Sequence, residues 1–205
     1  MRKLGAFIAA ATLMALTTVE ASAAGGSTSF TTTAGTGLTL NSGAVPGSFG
    51  SITLNGQVQT LFTTLSSYTA SDSTGTGSGW NITFQATQFA CTVGTGTNKC
   101  PTGGNSLPAG SLLMAPPTVA CDASSSCGGL AAAPTISISS NTGIDAASAV
   151  KVASAAASTG MGTYDFTTGL VDATAGHDLK LTVPSSVYAG TTYNSTLTVS
   201  IGTSP

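Results

Sequence analysis

Charge is what this sequence lacks most. Of its 205 residues, 6% are Asp, Glu, Lys or Arg, against about 25% in an ordinary soluble domain. Five basic and seven acidic side chains leave a formal net charge of −2. So few cations exclude an electrostatic grip on nucleic acid, which needs a basic patch. They also exclude polybasic attachment to an anionic membrane surface. Glutamate is nearly absent, with Glu20 the only one, and there is a single histidine, His177, and a single tryptophan, Trp80. Glycine and proline, at 26 and 8 residues, are too few and too aperiodic for a collagen-like chain. Low charge does not imply disorder here, because 41% of the residues are hydrophobic.

What fills the sequence instead is hydroxyl: Ser and Thr together number 63. The amino terminus has a separate character. Arg2 and Lys3 precede an apolar run from Leu4 to Val19, and Ala21-Ser22-Ala23 follows as a small-x-small cleavage site. This pattern predicts a Sec-type signal peptide over residues 1–23, cut after Ala23. The apolar run is shorter than the roughly 20 residues that span a bilayer. No lipidation cysteine directly follows the signal, and no apolar segment or sorting motif precedes Pro205. The expectation is a secreted chain with no membrane insertion after cleavage, held on a surface by non-covalent contacts. A flexible Gly/Ser/Thr-rich leader is expected over 24–34 and one folded domain over 35–205.

The four cysteines, Cys91, Cys100, Cys121 and Cys127, all follow the signal. Outside the cell they are expected to be oxidised. Three pairings are open; the sequential one closes two short loops. Metal ligation is not expected, since no Cys-x-x-Cys and no nearby histidine is present.

Periodicity points to strands nearly throughout. Trp80, Ile82, Phe84 and Ala86 alternate with polar residues, as do Leu179, Leu181 and Val183, and then Tyr193, Ser195, Leu197, Val199 and Ile201. Threonine at the intervening positions suits a pleated surface. Asn55-Gly56, between Ser51–Leu54 and Gln57–Leu61, is a strong hairpin signal. Ser29–Thr32, Ser66–Ser71 and Thr135–Ser139 read as further strands. Asp145–Ser158 fits a short helix or a strand over Ala149–Ala153 equally well. Many short strands with frequent turns predict an all-β, single-domain antiparallel β-sandwich of Ig-like, Greek-key type. A disulfide-bearing loop insertion is expected over Cys91–Leu130.

Two segments read together carry a resemblance. The first is Asp72-Ser-Thr-Gly-Thr-Gly-Ser-Gly79 leading into Trp80-Asn81-Ile82; the second is Tyr193-Asn-Ser-Thr-Leu197-Thr-Val199-Ser-Ile201. Together they resemble the WxL domain of bacterial cell-surface proteins, with an Asp and a Gly-rich turn before Gly-Trp-x-Leu and a terminal Tyr-x-x-x-Leu-Thr-Trp-x-Leu strand. Ile82 stands where the family has Leu, Val199 where the second motif has Trp, and Ile201 where it has Leu. The second motif is therefore degenerate, and the label WxL-like applies. The resemblance implies non-covalent binding to peptidoglycan or another wall glycan at the cell surface, with other surface proteins as further partners.

The residues expected to contact a ligand are Trp80, Asp72 and Tyr193, with Tyr68 and Tyr188 extending an aromatic face. Trp80 fits two readings: a core residue in line with Ile82 and Phe84, or a surface platform for a neutral sugar. Asp72 suits hydrogen bonding to the backbone of its glycine turn. No catalytic residue is expected. His177 adjoins Asp178, but no Gly-x-Ser-x-Gly elbow accompanies them. Glycoside hydrolysis commonly needs two carboxylates; no Glu follows the signal, and Asp72, Asp122 and Asp172 lie in turn-like sequence. Gly-Thr-Gly at 75–77 and 94–96 lacks the lysine of a phosphate loop. No metal and no cofactor are expected. The competing reading is a fimbria-like subunit that assembles by β-strand addition, with Ser27–Thr33 as the donated strand.

Overall fold

The computed structural model describes residues 37–41, 44–94, 100, 106–125, 127 and 132–203. These fall within one compact unit, Thr33–Pro205. The expected signal, leader and first strand lie outside the described residues.

Fourteen strands and no helix are found among the described residues. They are β1 (Leu38–Asn41), β2 (Gln59–Thr63), β3 (Tyr68–Asp72), β4 (Trp80–Ala86), β5 (Ala90–Gly94), β6 (Leu112–Met114) and β7 (Thr118–Cys121). There follow β8 (Thr135–Ile136), β9 (Thr142–Gly143), β10 (Val150–Ala155), β11 (Gly162–Thr167), β12 (Leu179–Val183), β13 (Thr191–Asn194) and β14 (Leu197–Thr203). Every pairing is antiparallel. Three four-stranded sheets run β1-β3-β11-β7, β14-β4-β10-β8 and β2-β12-β6-β9, and β13 pairs with β5.

The first two sheets face each other. Alternation puts Tyr68 and Ala70 of β3 and Tyr164 and Phe166 of β11 on one inner face, all buried. The opposing face presents Trp80, Ile82 and Phe84 of β4 with Val152, Ala153 and Ala155 of β10, each fully enclosed. Rings meet across the gap: Tyr68 and Phe84 lie 5.5 Å apart, Trp80 and Tyr164 6.5 Å, and Trp80 and Phe166 6.4 Å. Leu179, Leu181 and Val183 of β12 extend the same core from the third sheet. The Ala86 N–H donates to the Ile144 carbonyl and the Ile144 N–H to Leu112, which ties the second sheet to the third. This is the antiparallel sandwich the alternation predicts; these strand orders do not by themselves specify an Ig-like topology.

Two details differ from the sequence reading, and one open choice is settled. Asn55-Gly56 does not turn a hairpin. Residues 51–58 have no ladder partner, and β2 pairs with β12 instead, with Leu61 opposite Leu181. The local turn is held by the Gln57 N–H donating to Asn55 Oδ1, while Gln59 Nε2 donates to the Thr53 carbonyl. The Ala-rich segment takes its strand option as β10, because burial against β4 selects the extended form. The span expected as an inserted loop contributes β6 and β7 and buries Leu107, Leu112, Met114 and Ala115. Its disulfides are sequential, Cys91–Cys100 and Cys121–Cys127.

Candidate functional site

The two motif strands lie side by side. β14 runs antiparallel to β4, with Leu197 opposite Ala86, Val199 opposite Phe84, Ile201 opposite Ile82 and Thr203 opposite Trp80. Val199 thus contributes apolar surface beside Phe84, at the sheet edge and only partly buried.

Trp80 is 0% exposed, so neither face of its indole is open to solvent. Its Nε1–H donates to the Gly160 carbonyl at 2.9 Å. Gly160, at φ 74°, lies so close that a side chain there would press on the Trp80 ring. Of the two readings left open for Trp80, the structure takes the core one. Asp72 is also buried, and its Oδ1 accepts from the Thr74 N–H at 3.0 Å and the Thr74 hydroxyl at 2.7 Å. The chain of hydroxyls continues from Thr74 to Thr76 at 3.0 Å and from Thr76 to Ser78 at 2.7 Å. Gly79, at φ 77°, closes this turn where a Cβ would come within 2.5 Å of the Ala155 carbonyl. Asp72 therefore braces the turn that delivers Trp80 to the core. Tyr68 is buried, and burial pushes its phenol pKa up.

Tyr193 stands elsewhere. It walls a cleft of about 700 Å³ formed by residues 49–54, Leu61, Phe89, Leu107, β12 and the loop 187–193. Phe49 and Phe89, in its lining, meet edge-on at 5.7 Å. Tyr188, 46% exposed, and Tyr193 supply further aromatic surface. The loop is clasped on itself: the Tyr188 N–H donates to the Tyr193 hydroxyl at 3.4 Å, and the Thr191 hydroxyl donates to the Tyr188 carbonyl. Ser51, Thr53, Thr191 and Thr192 add hydroxyls, and among the described residues no charged side chain lines the cleft. Its chemistry is that of ring faces interleaved with neutral hydrogen-bonding groups, a combination that suits uncharged ligands. Sequence reading found Tyr193 and Tyr188 but missed Phe49 and Phe89. The only local signal was an aromatic residue between glycines in Gly47-Ser48-Phe49-Gly50.

His177 and Asp178 do not pair. The His177 Nδ1–H donates to both oxygens of Asp172 at 2.9 Å, and the imidazole stacks on Phe62 at 3.9 Å. That hydrogen bond holds the Asp172 carboxyl below its ordinary pKa. Asp178 instead accepts from the Leu65 N–H at 2.8 Å. Asp122, in the turn closed by Cys121–Cys127, is likewise held below its ordinary pKa by the Ser124 hydroxyl and N–H.

No curated protein and no solved structure matches the chain. A family profile does, over residues 48–205, and its description is "WxL domain surface cell wall-binding". The matched span takes in the braced turn, both motif strands and every wall of the aromatic cleft. The chain belongs to the WxL domain family, a family of surface cell wall-binding domains.

Proposed function

We propose that the protein is a secreted, non-catalytic wall anchor whose aromatic cleft grips an uncharged stretch of peptidoglycan glycan. Residues 1–23 serve as the export signal, 24–34 as a leader and 35–205 as the binding domain. The observation that carries this reading is the uncharged cleft walled by Phe49, Phe89, Tyr188 and Tyr193 in a domain of a wall-binding family. Sugar rings present C–H faces that pack on aromatic rings, and their hydroxyls match the Ser and Thr groups between those rings. Tyr193 is the contact residue; Trp80 and Asp72 act through the fold that holds it. Catalysis has no part in this reading, since the one histidine is engaged with Asp172 and Phe62.

The test is retention on purified peptidoglycan. Tyr188→Ala combined with Tyr193→Ala is expected to weaken retention by about tenfold or more, the scale of losing a central aromatic contact. Trp80→Phe, which keeps the core filled, is expected to bind as the wild type does. Unchanged retention of a folded double tyrosine variant would overturn the assignment of the cleft. Turnover of wall material that depends on His177 would overturn the non-catalytic reading.

A further inference from the structure

We infer that a second cleft, close to the first along three chain segments, holds the continuation of the same glycan strand; this rests on the wall-glycan reading above. The second cleft has a volume of about 440 Å³. Its walls are Gln85, Thr87 and Gln88 at the end of β4, Ala147, and Thr196 and Thr198 leading into and along β14. Among the described residues it has no aromatic ring. Asp145 also lines it, but this carboxylate is buried and accepts from the Gly110 N–H at 2.7 Å and the Leu112 N–H at 3.1 Å. Its charge is thus engaged by backbone.

The remaining polar groups are neutral and held in place. Gln85 Nε2 donates to the Ala147 carbonyl at 3.0 Å and Gln88 Nε2 to the Leu107 carbonyl at 3.2 Å. Each amide is fixed by one donated bond and keeps its oxygen as an acceptor. Thr87 Oγ1 accepts from the Thr196 N–H at 2.9 Å, which sets the position of both threonines. The site therefore offers amides and hydroxyls to a ligand rich in the same groups.

The two clefts lie near each other. Residues at most three apart in the chain divide between them: Phe89 lines the first and Gln88 the second, Leu107 the first and Ala109 the second, Tyr193 the first and Thr196 the second. The Leu107 N–H donates to the Phe89 carbonyl at 2.8 Å and Gln88 Nε2 to the Leu107 carbonyl at 3.2 Å, so the segments between the clefts are hydrogen-bonded together. Three residues of chain reach at most about 11 Å, which bounds the step from Tyr193 to Thr196. A short sugar seated on Tyr193 ends before the second cleft, whereas a linear polymer runs into it. The pair of clefts is a device for recognising length: ring faces first, then hydroxyls and N-acetyl amides.

The test is calorimetric titration of the mature chain with β-1,4-linked N-acetylglucosamine oligomers, from dimer to hexamer. Wild type is expected to tighten with length. Ala147→Trp, at an exposed position, fills the second cleft; Thr196→Val with Thr198→Val removes its hydroxyls. Both are expected to weaken the hexamer by roughly tenfold and leave the dimer unchanged. Tyr193→Ala is expected to weaken every length. If the hexamer keeps its full advantage over the dimer in Ala147→Trp, the second cleft is not a subsite and the inference falls, while the first cleft stands. If Tyr193→Ala changes no length, or a free wall stem peptide binds where no oligomer does, the wall-glycan reading itself falls.

Discussion

Trp80 joins two parts of the sandwich through one side chain. Its ring packs against Tyr164 and Phe166 of the facing sheet, while its N–H holds the Gly160 turn. These two roles separate experimentally. Trp80→Ala leaves a large cavity and is expected to cost about 3–5 kcal/mol. Trp80→Phe fills most of that volume and gives up the bond to Gly160, for about 1–2 kcal/mol. Urea denaturation monitored by circular dichroism measures both. Equal, small losses would show that the indole is not core. Among the titrating groups, Asp172 gives the clearest pH signature. Its folded pKa lies below the unfolded value, so the small stabilisation it brings is present above the unfolded carboxylate pKa. That contribution is lost as pH falls through the folded one. His177→Ala removes the bond that lowers it, and a carbon-detected NMR titration is expected to show the Asp172 midpoint moving up. An unmoved midpoint would contradict the pairing.

At the scale of elements, Asp145 fixes where β6 begins. It accepts from the N–H groups of Gly110 and Leu112 and sits beside Ile144, whose own N–H bonds back to Leu112. Asp145→Ala strands the buried Leu112 N–H and frees the part-buried Gly110 N–H, and is expected to cost about 2 kcal/mol. Faster amide exchange at Leu112 and Ile144 locates the damage, and protection equal to wild type would refute the role. Legibility in the sequence varies along the same elements. β4 and β12 were readable to their end residues, because each buries one face against a core and leaves threonine, glutamine or lysine on the other. The terminal alternation was readable, but not its break into β13 and β14, which pair with different strands. Asn55-Gly56 misled because a satisfied local turn needs no hairpin around it. β6 and β7 were hidden, since strands of three and four residues on either side of Pro116 and Pro117 carry too little period to detect. The cleft was legible only at Tyr188 and Tyr193. Its other aromatic walls, Phe49 and Phe89, come from segments about a hundred residues or more away in the chain.

At the scale of the molecule, near-neutrality governs how the protein stays where it is. Retention that relied on ion pairs would fade in salt, because the Debye length falls to about 3 Å at 1 M. With no charged side chain among the described residues of the cleft, peptidoglycan retention is expected to change less than about twofold between low salt and 1 M. Elution by salt alone would move the binding surface away from the cleft.

The same scarcity of charge bears on survival outside the cell. Proteases that cleave after basic residues find only Lys151 and Lys180 among the described residues, and those that cleave after glutamate find none. Lys151 lies in β10 opposite Thr83, and Lys180 lies in β12 between Phe62 and Leu113. A protease must draw a strand out of its ladder to reach either bond, so cleavage there waits on local unfolding. At both described lysines, then, the sheet itself stands between a trypsin-like enzyme and the bond it would cut.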